Sequence, residues 1–245
     1  MKLLILGGTA DARYFAQAIH DSCPALELIY SVAGLVRLPK VPAQVISGGF
    51  TQHGGLEAYC KAHDITAIAN LTHPFSSHMG RIAQQACDKL DLQYWRFLRP
   101  QWQQQKGDDW RLFEQRDELL EAVVNYSRIA LTLGQVSQAE LNTLSQSQVW
   151  LRTAVAPGFA LPKNTTWIKA IGPFSQDGEH TLFEQHRIQA LVSKNSGGQA
   201  TEAKLAAARS LNIPVFMLQR PTVTGPVEEN FDALVEQVAH WSKQT

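Results

Sequence analysis

Short aliphatic runs that stop at glycine or a polar turn alternate with helically spaced segments almost from one end of this chain to the other. No other feature constrains the fold as strongly. A strand, a crossover helix and a second strand make a parallel pair, so the pattern predicts an α/β fold built on mostly parallel sheets. Strands are expected at Lys2–Leu6, Glu27–Val32, Gln44–Ser47, 66–71 and 93–98, with helices at 11–20, 55–63 and 76–90. Lys2–Leu6 is wholly apolar after its lysine, as suits a strand covered on both faces. The helix at 76–90 brings Met79, Ile82, Ala83, Ala86 and Leu90 onto one side.

Arg99-Pro100-Gln101-Trp102 breaks this rhythm, and 103–109 is polar with one glycine. The alternation then restarts. Strands are expected at Trp110–Phe113, 128–133, 149–154, 167–170, 188–193 and 214–218. Helices are expected at 117–125, 137–144, 178–185 and 201–211, and an amphipathic helix at 227–241 closes the chain. The fold class is therefore α/β, with two Rossmann-like lobes and a ligand cleft between them. The expected division is an N-terminal cofactor-binding lobe at 1–100, a connection at 101–126 and a C-terminal lobe at 127–245.

Composition narrows the partners. Lys+Arg and Asp+Glu are both 22, a balance that argues against a general nucleic-acid binder while leaving room for a local basic pocket. Cys23, Cys60 and Cys87 are widely spaced and form no C-x-x-C pair, which reads as free thiols in a reducing compartment. The opening apolar run stops at Gly7, and no stretch approaches the ~20 apolar residues of a membrane span. The expectation is a cytoplasmic protein with no membrane partner; the oligomeric state is left open.

Open α/β sheets bind ligands at the carboxyl ends of their strands, so unusual residues just after strands carry the functional reading. Gly7, Gly8, Thr9, Ala10 and Arg13 follow the first strand and open the first helix. Glycine lets a backbone approach an anion there, and a helix N-terminus favours one. Against the G-x-G-x-x-G pattern, Thr9 replaces the second glycine and Ala12 the third, so an ordinary tight turn is the alternative. After the second strand no acid is present for a ribose hydroxyl. Ser31 and Arg37 stand there instead, which favours the 2′-phosphate of NADPH, with NADH possible. Thr72, His73 and Pro74 end another strand, with proline holding His73 extended; His73 is a catalytic or nicotinamide-side candidate, or an ordinary hydrogen-bonding histidine. No metal-ligand spacing accompanies it.

Lys194, Asn195, Ser196, Gly197 and Gly198 form a second strand-to-helix turn, rich in donors and without acids, suited to a carboxylate or phosphate. The alternative is a capped loop with Thr201 as N-cap. Thr132 and Gly134 form a milder version of the same feature.

These residues resemble the precorrin-6A reductase family of cobalamin biosynthesis. The resemblance runs nearly the whole chain. It rests on the opening Ile5-Leu6-Gly7-Gly8-Thr9 with Arg13, on Gly48-Gly49-Phe50 with Gly55-Leu56, and on Thr72-His73-Pro74-Phe75. It continues through Arg99-Pro100-x-Trp102, Leu131-Thr132-x-Gly134, Gly172-Pro173-Phe174 and His186. Its most specific stretch is Lys194-Asn195-Ser196-Gly197-Gly198 with Thr201, Ala203-Lys204, Ala207-Ala208-Arg209 and Ile213-Pro214-Val215. Two departures stand out: Asn70 where the family commonly has Asp, and Asp11-Ala12 where it often has Glu-Gly.

The resemblance implies an oxidoreductase that sends a nicotinamide hydride to C19 of precorrin-6A, or of its cobalt form, and adds a proton at C18. It implies a polycarboxylate tetrapyrrole as substrate, with Lys194 to Gly198, Thr132 and Gly134 facing it, or Lys194 to Gly198 clamping the cofactor from the other lobe. Lys194 and His73 are the catalytic candidates. Two other readings remain: another NAD(P)-dependent reductase on this fold, and a non-catalytic NADPH sensor.

Overall fold

The computed structural model describes residues 1–34 and 39–244. They form two compact units, Met1–Arg99 with Thr222–Thr245 and Pro100–Pro221. Each unit holds one sheet, and every strand pair in both sheets is parallel.

In the first unit the chain runs β1 (Lys2–Leu6), α1 (Ala10–Ser22), β2 (Glu27–Val32), β3 (Gln44–Ser47), α2 (Leu56–Ala62), β4 (Ala67–Asn70), α3 (Ser77–Leu90) and β5 (Gln93–Arg96). The strand order is β3-β2-β1-β4-β5. From β1 the chain steps outward to β3, then returns to the other side of β1, so the chain reverses direction between β1 and β4. Register puts Leu6 beside both Ser31 and Asn70, which aligns the ends of all three strands. The two-residue period of β1 divides the core. Leu3 and Ile5 pack with Phe15 and Ile19 of α1, whereas Leu4 and Leu6 pack with Tyr59, Cys60, Ala83 and Cys87 of α2 and α3.

The second unit runs β6 (Trp110–Phe113), α4 (Arg116–Val123), β7 (Arg128–Thr132), α5 (Gln138–Thr143), β8 (Gln148–Thr153), β9 (Thr165–Lys169), α6 (Gln176–Gln185), β10 (Ala190–Lys194), α7 (Ala203–Ser210) and β11 (Val215–Leu218). Its order is β6-β11-β10-β7-β8-β9, and the reversal falls between β7 and β10. One face is filled by Phe183 of α6 and Leu205 and Ala208 of α7 packed on Ala130, Leu191, Val215 and Met217.

Four sequence expectations are corrected. Residues 101–126 are not a connection, because β6 pairs with β11 and α4 buries Leu119, Leu120 and Val123 within the second unit. The closing helix α8 (Phe231–Trp241) belongs to the first unit, where Leu234 and Val238 join the core around Phe15. That helix starts at 231 rather than 227, because Glu228 pairs in extended conformation with Phe97 and Asn230 caps the first turn. The helix expected at 201–211 is split: a 3-10 turn, Gln199–Thr201, precedes α7, and Thr201 therefore lies inside that turn instead of capping a helix.

Candidate active site

Both reversals in strand order coincide with the glycine turns singled out in the sequence. In the first unit Gly7 has no room for a side chain: a Cβ there would stand 2.3 Å from Cζ of Tyr30. Tyr30 comes up from β2, fully buried, and its hydroxyl accepts the Gly8 N–H at 3.2 Å. Burial pushes the Tyr30 phenol above its ordinary pKa, against the Gly8 hydrogen bond and the Arg13 charge, which pull it down. Gly8 takes φ +101°. Thr9 then does two jobs. Its Oγ1 accepts the Ala12 N–H at 3.1 Å, capping α1, and donates to the Leu71 carbonyl at 2.8 Å, fastening the β1 turn to the β4 turn. Arg13 reaches back from the first turn of α1 to the Thr9 carbonyl at 3.1 Å. Asp11, in the same turn, pairs with Arg99 at 2.6 Å.

Beyond β4, Asn70 organises the Thr72-His73-Pro74 segment. Its Oδ1 accepts from the Thr72 N–H at 3.1 Å and from the Thr72 hydroxyl at 2.8 Å, and its Nδ2 donates to the Tyr94 hydroxyl at 3.0 Å. The Thr72 hydroxyl is thus turned inward. His73 Nδ1 accepts the Phe75 N–H at 3.2 Å, so a neutral imidazole carries its proton on Nε2. Ser31 is buried at the end of β2, and its carbonyl accepts the Gly7 N–H at 2.8 Å. Arg37 lies outside the described residues.

In the second unit the β7 and β10 turns also meet. Lys194 Nζ lies 3.9 Å from where a Cβ on Gly134 would stand, and the Thr132 hydroxyl donates to the Val192 carbonyl at 2.8 Å. Burial and the neighbouring Arg116 charge bring the Lys194 ammonium down to about 8, with Glu140 pulling the other way. Arg116 is paired with Glu140 and donates to the Gln135 carbonyl at 2.6 Å. Asn195 is turned away from the turn it was expected to furnish with a donor. Its amide brackets the Trp102 backbone, accepting from the N–H at 3.0 Å and donating to the carbonyl at 3.2 Å. Gly197 has φ +64°, and a Cβ there would stand 2.1 Å from the Pro100 carbonyl oxygen, so only glycine fits. Ser196 is buried, and its N–H donates to the Lys194 carbonyl at 2.8 Å.

The sequence reading assigned Tyr30, Asn70, Trp102, Arg116 and Glu140 no role in these turns, although Asn70 and Trp102 stand in its motifs. Glu140 had a readable signal, since Ser137-x-x-Glu140 is a capping box and both of its bonds are present. Tyr30 and Trp102 act through contacts across the sheet that no local spacing encodes. Among the described residues no three His, Cys, Asp or Glu side chains are grouped as metal ligands, and no helix is long and apolar enough to cross a membrane.

The chain can be set beside known proteins on this footing. The profile of the family described as Precorrin-6x reductase CbiJ/CobK matches residues 2–242. A precorrin-6A reductase of Rhodococcus erythropolis is 37% identical over 97% of this chain and 96% of its own length. One from Mycobacterium tuberculosis is 36% identical over 92% of this chain and 91% of its own. A solved structure titled CobK precorrin-6A reductase superposes with a TM-score of 0.89 at 30% identity, covering 98% of this chain and 96% of that one. The chain belongs to the precorrin-6x reductase family.

Proposed function

We propose that this protein reduces precorrin-6A with a hydride from NADPH, the first unit's turn holding the dinucleotide and the second unit's turn holding the macrocycle. The observation that carries this reading is the pair of switch-point turns. One has the β3-β2-β1-β4-β5 order and glycine turn of a dinucleotide site, and the other presents a half-buried lysine beside glycine. Family membership supplies the reduction; a reduced nicotinamide is its hydride source.

Gly7, Gly8, Thr9, Ala10 and Arg13 are assigned to the pyrophosphate. Asp11 would repel a phosphate from the first turn of α1, and its pairing with Arg99 offsets that charge. Ser31 and Arg37 are assigned to the adenosine ribose and its 2′-phosphate; the lack of an acid after β2 favours NADPH over NADH. Thr72, His73 and Pro74 are assigned to the nicotinamide side, with the His73 proton on Nε2. Lys194, Ser196, Gly197 and Gly198 take substrate carboxylates, while Thr132, Gly134 and Asn195 shape the ground on which they stand. The hydride goes to C19 and a proton to C18, with Lys194 stabilising charge at the reacting ring. Metal-free precorrin-6A is the favoured form, since it names the relatives at 36–37% identity.

The test is anaerobic oxidation of NADPH, followed by its absorbance, with precorrin-6A, with its cobalt complex and with NADH in place of NADPH. Turnover is expected with precorrin-6A, and faster with NADPH than with NADH. Tight NADPH binding without turnover on either macrocycle would replace this reading with the sensor.

A further inference from the structure

The first unit buries a positive charge without a counter-charge. Arg96, at the end of β5, is 4% exposed, and its Nε and Nη1 have no hydrogen-bond partner. Among the described residues no carboxylate pairs with it. Its polar neighbours are neutral. Asn70, beside it in register, is an amide. The Tyr94 hydroxyl hydrogen-bonds it, but burial pushes that phenol above its ordinary pKa, against the pull of Asn70 and Arg96, so it carries no charge. A buried charge is ordinarily paired, because desolvation without a partner is costly. The guanidinium lies against the first turn of α3: a Cβ on Gly80 would stand 2.1 Å from Nη1, so glycine makes room for it. That turn is itself unsatisfied. The Ser77, His78 and Met79 N–H groups precede the first helical bond, from the Gly80 N–H to the Ser76 carbonyl at 3.1 Å, and have no acceptor among the described residues. The Ser76 side chain makes no capping bond, and the turn holds no acid. Ser76 and Ser77 add two half-buried hydroxyls.

We propose that the start of α3, backed by Arg96, receives a carboxylate of the macrocycle, so that the first unit binds substrate as well as cofactor. The amides and serine hydroxyls supply the contacts. Arg96, enclosed against the turn, supplies charge where little water screens it. The choice of ligand follows from the topology. α3 follows β4, so this turn lies across β1 from β2. The dinucleotide phosphates are already assigned to the β1–α1 turn and to the end of β2. The anionic groups of the reaction without a place in this unit are the carboxylates of the substrate. The proposal rests on the reading that precorrin-6A is that substrate.

Two variants test the site from opposite directions. Arg96→Met removes the charge and keeps the length, and losing an unpaired buried cation leaves Tm unchanged or raised. Ser76→Asp fixes a carboxylate at the same turn, where it caps the helix and meets both the dipole and the Arg96 charge, so Tm is again unchanged or raised. Affinities are read anaerobically, by absorbance titration of precorrin-6A with saturating NADP+ and by a separate NADPH titration. Each variant is expected to raise the Kd for precorrin-6A about tenfold and to leave the Kd for NADPH within about twofold. Weaker substrate binding in a chain that is no less stable is a result that a merely structural role does not give. An unchanged macrocycle Kd in Ser76→Asp overturns the proposal. So does a weakened NADPH Kd with the macrocycle Kd unchanged, which would give the turn to a cofactor phosphate. If Arg96→Met fails to fold, Ser76→Asp decides alone. The wild-type chain separates the site from the reading on which it rests. Macrocycle binding without turnover removes the reductase and leaves the site to be read from Kd; no macrocycle binding overturns both.

Discussion

Lys194 is charged, half-buried and set beside a glycine that leaves it room, and its titration has a consequence in solution. Its ammonium is the form that binds a carboxylate. Burial and Arg116 bring its pKa down to about 8, so the charge is complete well below that pH and is lost as pH rises through it. The KM for precorrin-6A is therefore expected to climb above about pH 8, while the KM for NADPH does not follow it. Lys194→Met should show a high KM with that step removed. A wild-type KM flat from pH 7 to about 9 would count against a charged Lys194 in substrate binding. At this scale the sequence was a good guide to which residues stand at the strand-order reversals and a poor one to which atoms they offer. Gly7, Thr9, Lys194 and Gly197 stand at the reversals where their types suggested. Thr72, Thr132 and Asn195 stand there too, yet their polar side chains are engaged by Asn70, the Val192 carbonyl and the Trp102 backbone. A donor in a sequence has no direction until the partner across the sheet is known.

The β1–α1 connection shows what an element end contributes beyond its own helix. Thr9 satisfies the Ala12 N–H and holds the Leu71 carbonyl, so a single hydroxyl joins the two loops at the first switch point. Thr9→Ala should cost about 1–2 kcal/mol of stability, the range for losing an N-cap side chain. It should also weaken NADPH binding, because the turn loses its tie to β4. Thr9→Ser keeps the hydroxyl and should restore both; thermal unfolding and a dinucleotide titration read them separately. If Thr9→Ala lowers stability and leaves NADPH affinity untouched, the turn does not hold the cofactor. Strands such as Lys2–Leu6, Glu27–Val32, Gln44–Ser47 and Trp110–Phe113 were legible residue for residue, because each is a short apolar run with a clear stop. Two failures fell at helix starts. Residues 227–230 carry helical spacing, but the Glu228 backbone pairs beside β5 and defers the helix. At 199–202 the 3-10 turn is held by donors from Trp102, Phe174 and Lys204, contacts that periodicity does not encode.

On the scale of the whole molecule the chain is interleaved. The first unit is begun by residues 1–99 and completed by 222–245, with the second unit's entire sheet inserted between. The apolar stripe of the last helix announced that it would be buried, but amphipathicity names a face and not its partner, and the nearer lobe in sequence was the wrong one. Its partners are specific. Phe231 meets Phe15 and Phe97 edge-on, Trp241 meets Trp95 at 5.3 Å between ring centres, and Leu234 and Val238 are fully enclosed. At roughly 1.5–3 kcal/mol for each fully buried side chain, Leu234 and Val238 alone are worth about 3–6 kcal/mol. That is comparable with the ~5–15 kcal/mol that holds a typical domain folded. A chain ending at Pro221 should therefore lose the first unit selectively. Its residues 1–99 should become protease-sensitive and its NADPH binding should vanish. The 100–221 segment, whose sheet and helices are all internal to it, should keep a cooperative thermal transition. If the shortened chain instead binds NADPH with the affinity of the full one, α8 is a surface addition and the dinucleotide unit is complete at residue 99.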